Sequence, residues 1–134
     1  MPRDEVRVGI LGLGIVGGGT FEVLRRNEDS ITQRVGTPVR VARVADVDWD
    51  RERDVAVPEE LRTTDAAEVY AADDIDIVVE TIGGIEPATD FVLAAIENGK
   101  SVVTSNKEMM AKRGAGILDA ADEAGVDVEF EGAV

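Results

Sequence analysis

The sequence predicts an α/β fold, a doubly wound parallel sheet with helices on both faces, in a single domain over residues 1–134. Short runs rich in β-branched residues alternate along the chain with segments of helical apolar spacing, which implies parallel strands joined by right-handed crossovers. Glycine-rich turns fall where strands give way to helices, the edge at which such sheets bind ligands. A length of 134 residues suffices to bury one core without staples.

The first strand is Val6 to Leu11 (VRVGIL), and it runs directly into the turn GLGIVGGG. Phe21, Val23 and Leu24 continue with helical spacing to about Arg26, giving the strand, glycine turn and helix that open a βαβ unit. Asn27 to Pro38 is polar and holds two breakers, Gly36 and Pro38, so a loop or a frayed helix extension is expected. Val39 to Ala45 (VRVARVA) alternates apolar and basic residues as a second strand. Asp46 to Leu61 is dense in charge, contains Pro58 and carries no readable element. Thr63 or Thr64 is positioned to cap a short helix over Asp65 to Ala71.

Ile75 to Glu80 (IDIVVE) reads as a third strand and Thr81 to Glu86 (TIGGIE) as its turn. Pro87 then opens a helix carrying Phe91, Val92, Leu93 and Ile96, which Gly99 closes after Asn98. Ser101 to Thr104 is a fourth strand, a helix runs from near Lys107 to Gly125, and Asp127 to Phe130 is a fifth strand. The turns at Gly12 to Gly19, at Gly83 and Gly84, and at Ser105 to Lys107 should therefore converge on one crevice.

Composition narrows the chemistry. The chain has no cysteine and no histidine, which excludes disulfides, thiolate metal sites, the Ser-His triad and the usual zinc sites. Acid–base work falls to Lys, Tyr, Asp or Glu. With 28 acidic against 14 basic residues the net charge is −14, which argues against a nucleic-acid partner, because a phosphate backbone is repelled. No apolar run approaches a membrane span, and the opening MPRDEV is too charged for a signal peptide, so a cytoplasmic location is expected. An acidic chain with 11 arginines and only 3 lysines is expected of a salt-rich cytosol, where screening quiets self-repulsion.

Gly12, Gly14 and Gly17 match G-x-G-x-x-G, with a strand before and a helix after. Gly12 would turn the chain, Gly14 would let the backbone approach a pyrophosphate, and Gly17 would let helix and strand pack closely. The helix N-terminus then offers unpaired N–H groups and a positive dipole to the phosphates. The pattern implies a dinucleotide, NAD or NADP. Its ribose partner should be an acid at the end of the second strand, where Asp46 stands 29 residues after Gly17 and Asp48 competes on the same face. No arginine follows the strand immediately, the nearest being Arg43 within it and Arg51 beyond it, which favours NAD.

Four pieces in order, GLGIVGGG, ETIGGIEPA at Glu80 to Ala88, NGKSVVTSNKEMMA at Asn98 to Ala111 and the terminal FEGAV, resemble the N-terminal part of homoserine dehydrogenase from Val6 to Val134. The resemblance implies a Rossmann-type NAD(P)-binding domain of an enzyme that interconverts L-homoserine and L-aspartate 4-semialdehyde on the route to threonine and methionine. Leu13, Ile15 and Val16 match cofactor contacts in the glycine turn, Ile82 and Gly83 would lie along the nicotinamide, and Ser105 matches a further contact. Lys107 matches the lysine of the family's T-x-N-K motif, which acts at the substrate oxygen, and it is placed among the cofactor contacts as well as in a catalytic role. A lysine beside a helix N-terminus sits in a field that disfavours its charge, which suits it to proton transfer.

Glu131 and Val134 match residues whose loop holds a sodium ion in the family, a loop that continues past the end of this sequence. Two departures stand out. The family's frequent arginine after the second strand is Val47, and the alanine of T-x-N-K is Ser105. The resemblance further implies a substrate domain absent from this chain and a homodimer for the full-length protein. The chain is then expected to bind cofactor without turning over homoserine. Two other readings compete: the cofactor domain of a sugar or inositol dehydrogenase, which usually shows E-K-P where this chain has S-N-K, and a non-catalytic nucleotide sensor in which Lys107 merely pairs with phosphate.

Overall fold

The computed structural model describes residues 5–27, 30, 33, 36–50 and 56–130. Its strands are β1 (Val6–Leu11), β2 (Val39–Ala45), β3 (Arg62–Thr63), β4 (Ile77–Glu80), β5 (Ser101–Thr104) and β6 (Val128–Phe130). The helices bounded among the described residues are α1 (Ile15–Arg26), α2 (Ala67–Tyr70), α3 (Ala88–Glu97) and α4 (Lys107–Ala124), with a 3₁₀ turn at Glu59–Leu61. The strands form one sheet in the order β3-β2-β1-β4-β5-β6, and every pairing is parallel. The order reverses between β1 and β4, so the carboxyl ends of these two strands frame the crevice of a doubly wound sheet.

Both faces of the sheet are covered, as a parallel sheet requires. On one side Phe21 of α1 packs with Val8, Ile10, Leu13, Val41 and Val44. On the other, Val92 and Ile96 of α3, Met109 and Ile117 of α4 and Val69 of α2 pack on Leu11, Val78 and Val102. Successive residues Ile10 and Leu11 thus serve opposite cores, and both are fully buried. Gly9 is required by this packing, since a Cβ there would lie 2.7 Å from Val69 Cγ1 and 2.9 Å from Ile75 Cδ1.

The elements depart from the sequence reading at several places, among them the glycine turn, which ends at Gly14 because α1 takes up Gly17 to Gly19, and the charged segment, which holds a 3₁₀ turn. The sheet has a sixth strand, β3, whose two residues pair with Val44 and Ala45 at the edge of the unreadable charged segment. The third expected strand begins at Ile77 rather than Ile75, because Asp76 is tied sideways to β1: its N–H donates to Arg7 O and its carboxylate accepts from Arg7 N. The short helix covers only Ala67–Tyr70, and its lead-in is made by Thr63 and Asp65, which accept the N–H groups of Asp65 and Ala67 respectively. The last strand starts at Val128. In the Asn27–Pro38 segment α1 has already ended, with Asn27 as its C-cap, and among the described residues Ser30 and Gln33 are helical.

Candidate functional site

The first turn at the switch point is built by close contact. Gly12 has φ +90°, and a Cβ on it would press within 3.1 Å of the backbone of Ile82. Gly17 faces back onto that same turn: a Cβ there would lie 2.1 Å from Gly12 O and 2.6 Å from Thr81 Oγ1. Gly14, by contrast, is exposed, with no atom within 4 Å of where its Cβ would be. Only glycine fits at position 17 for internal reasons, whereas position 14 is open toward solvent, where a ligand backbone can approach.

The N-terminus of α1 is the anion-receptive end of this turn. Its N-cap is Gly14, no side chain caps it, and its first turn contains no acid, so the leading N–H groups and the dipole are left uncompensated. The start of α4 is different, because Asn106 Oδ1 accepts the Met109 N–H at 3.1 Å and closes that end. Of the two helix starts, that of α1 is the one without a side-chain cap.

Asp46 lies at the end of β2, next to the glycine turn. Its Oδ2 accepts the Leu13 N–H at 2.9 Å and its Oδ1 the Asp48 N–H at 3.1 Å. Asp48 instead accepts from Asp50 N, two residues along. Of the two acids weighed for the ribose, Asp46 is thus the one held against the glycine turn, and a carboxylate with two oxygens retains acceptor capacity beyond these two bonds. The Leu13 side chain is buried in the α1-side core, so this residue presents its main chain at the turn.

A chain of hydrogen bonds joins the three turns. Thr81 Oγ1 donates toward Gly12 O at 2.6 Å and Leu11 O at 3.0 Å, which fastens the loop after β4 to the glycine turn. Glu80, 1% exposed, accepts the N–H groups of Ile82 and Gly83 at 2.9 and 3.0 Å on Oε2, and the Thr104 hydroxyl on Oε1. Asn106 Nδ2 donates to Gly84 O at 2.6 Å and approaches Glu80 Oε2 at 3.5 Å. Asn106 is also the residue immediately before Lys107, so the start of α4 is tied to the loop after β4.

Gly12, Gly14, Gly17, Asp46, Ile82, Gly83, Ser105 and Lys107 accordingly belong to one edge of the sheet, linked through Thr81, Glu80 and Asn106. Ile82, Gly83, Ser105 and Lys107 are exposed there. Ile15 and Val16 lie in the first turn of α1. Glu131 and Val134, the expected sodium ligands, and Arg51 lie outside the described residues. Because its two N–H groups are spent on Glu80, the backbone of Ile82 and Gly83 can meet a ligand only as a hydrogen-bond acceptor.

The sequence reading did not single out Glu80, Thr81, Thr104 or Asn106. Two signals were present in the chain. A carboxylate closing an otherwise apolar strand demands several donors once buried, and an asparagine directly before a helical run is a cap.

Comparison with known proteins adds a family. The model described as the NAD binding domain of homoserine dehydrogenase matches residues 12–131. A homoserine dehydrogenase of Pseudomonas aeruginosa is 48% identical over 130 residues, 96% of this chain and 29% of that protein. The crystal structure of a homoserine dehydrogenase from Thiobacillus denitrificans superposes with a TM-score of 0.89 at 50% identity, over 95% of this chain and 29% of that one. A hyperthermophilic archaeal homoserine dehydrogenase in complex with NADPH shares the fold, with a TM-score of 0.72 at 22% identity, over 95% of this chain and 44% of that one. The chain spans 26 to 30% of the lengths of the curated relatives it matches.

Proposed function

Because the chain belongs to the homoserine dehydrogenase family as its NAD-binding domain, we propose that it holds NAD or NADP across the carboxyl ends of β1 and β4. The protein of which it is part would interconvert L-homoserine and L-aspartate 4-semialdehyde, in the cytoplasm and on the route to threonine and methionine. The observation that carries the reading is the joining of three distant turns by Thr81, Glu80 and Asn106, with an uncapped helix end between them.

The residue roles proposed join the family resemblance to the place of each residue at this edge of the sheet. The N–H groups opening α1 bind the pyrophosphate, Gly14 lets it approach, and Asp46 accepts from the adenosine ribose. Ile82, Gly83 and Ser105 border the nicotinamide, and Leu13, through its main chain, Ile15 and Val16 take the cofactor contacts that the resemblance implies. Bound nicotinamide supplies or accepts the hydride. Lys107 stabilises the negative charge that grows on the substrate oxygen during reduction and then protonates it. Val47 after β2, in place of an arginine, favours NAD, while the relative solved with NADPH keeps the phosphorylated cofactor in play. A sodium ion at Glu131 and Val134 and a full-length homodimer complete the proposal, and no step here depends on them.

Calorimetric titration of the chain with NAD and with NADP in molar KCl tests the site. One cofactor is expected to bind, and failure of both refutes the proposal. In the full-length protein Lys107→Ala should lower kcat by at least about 100-fold with little change in cofactor affinity, the scale on which a positioned acid acts. A loss confined to cofactor affinity would make Lys107 a phosphate ligand and favour the sensor reading.

A further inference from the structure

Glu80 is the least expected group in the molecule: a carboxylate 1% exposed, at the end of a buried strand. A buried carboxylate is costly unless its lone pairs are filled. Here the donors come from three separate places. Two are the N–H groups of Ile82 and Gly83, one is the Thr104 hydroxyl at the end of β5, and the amide of Asn106 lies at 3.5 Å. Thr104 in turn accepts the Asn106 N–H at 3.0 Å. The turn it holds carries two consecutive glycines at positive φ, Gly83 at +83° and Gly84 at +73°, a backbone that few other residues would maintain unaided.

We propose that Glu80 is a positioning residue: it sets the turn at Ile82–Gly84 relative to the start of α4 and, by taking the N–H groups of Ile82 and Gly83, leaves those two residues' backbone as an acceptor-only surface for the carboxamide N–H of the nicotinamide. This rests on the cofactor reading above and deepens it. A carboxylate that served stability alone could take its donors from anywhere in the core. This one spends two of its bonds on the backbone of the turn and joins it to the residue preceding Lys107. Without it the N–H groups of Ile82 and Gly83 lose their acceptor, the turn is free to rotate, and donors replace acceptors in front of the ring.

The test uses the 134-residue chain and its Glu80→Ala and Glu80→Gln variants. Each is titrated with NADH or NADPH, whichever the unmodified chain binds, and with the matching ADP-ribose fragment, which carries adenosine and pyrophosphate without nicotinamide. Glu80→Ala should weaken the reduced cofactor at least about tenfold, the loss of one or two well-made hydrogen bonds, while the fragment stays within about twofold. Glu80→Gln keeps an oxygen for the two N–H groups and should recover most of that affinity. It exchanges charge-assisted bonds for neutral ones of about half the strength, so amide exchange at Ile82 and Gly83 should still quicken about fivefold with α1 unchanged.

Parallel weakening of cofactor and fragment, or no weakening of either, overturns the inference. If Glu80→Ala does not fold, amide exchange in Glu80→Gln decides: quickening confined to Ile82 and Gly83 upholds it, and unchanged exchange there overturns it. Failure of the unmodified chain to bind cofactor and fragment sinks the cofactor reading itself, an outcome distinct from these.

Discussion

Two glycines of α1, Gly17 and Gly19, should respond to the same substitution with opposite signs. Alanine at an interior helix position is favoured over glycine by about 0.8–1 kcal/mol. At Gly19 nothing lies within 4 Å of the added Cβ, so Gly19→Ala should realise that gain and raise Tm by about 3–5 °C, on the scale of a domain of this size. At Gly17 the Cβ would stand 2.1 Å from Gly12 O, and the carbonyl must retreat by about 0.9 Å to reach the 3.0 Å limit of real contacts. That movement has nowhere easy to go, because Gly12 O also accepts from Thr81 Oγ1 and Gly12 N donates to Ala45 O. Overpacking costs about 1–3 kcal/mol, and a disturbed hydrogen bond about 0.5–1.5 kcal/mol. Set against the helix gain, the net loss is about 1–3 kcal/mol, or a fall in Tm of about 4–12 °C. Thermal unfolding by circular dichroism, at one fixed salt concentration, measures both variants. A Gly17→Ala protein that melts at or above the parent would refute the steric account of the turn.

Lys100 is 4% exposed, and its ammonium donates to the carbonyls of Ile75 at 2.8 Å and of Ala72, at the edge of the sheet opposite the crevice. Lys100→Met should therefore cost about 1–3 kcal/mol by leaving buried carbonyls without that donor, seen in urea titration, and should leave cofactor affinity unchanged. An equal loss of affinity would place Lys100 in the site. With a net charge of −14, the chain should gain stability as KCl rises from low to molar concentration. A Tm that does not move with salt defeats the expectation of an adaptation to high salt.

What was legible in the sequence was whatever a few neighbouring residues decide. The glycine turn could be read because the demands on Gly12 and Gly17 are steric and arise within six positions. β1, β2 and β5 were readable to the residue, since each is a short stretch rich in valine that gives way at once to turn residues. β3 was not, because two residues carry no period, and the strand exists through its pairing with Val44 and Ala45. Asp46 could be placed by topology, but its hold on the Leu13 N–H spans 33 positions and follows only from the folded sheet. The Glu80 network was the least readable part for the same reason. Its partners Thr104 and Asn106 lie 24 and 26 residues away, on the neighbouring strand and the helix after it.

That network also resolves an oddity of the sequence, a lysine as the first residue of a helix. A cation at that end costs about 0.3–1 kcal/mol against the macrodipole, a penalty a helix chosen for stability alone would avoid. Asn106 offsets it, since a side-chain cap contributes about 1 kcal/mol, and Glu108 adds an acid to the same turn. The cap does a second thing: its amide donates to Gly84 O while its oxygen accepts from Met109 N. Asparagine at this position therefore stabilises a helix end that is electrostatically wrong and, in the same contact, fixes the start of α4, and with it Lys107, relative to the turn after β4. A lysine on a surface loop would need neither.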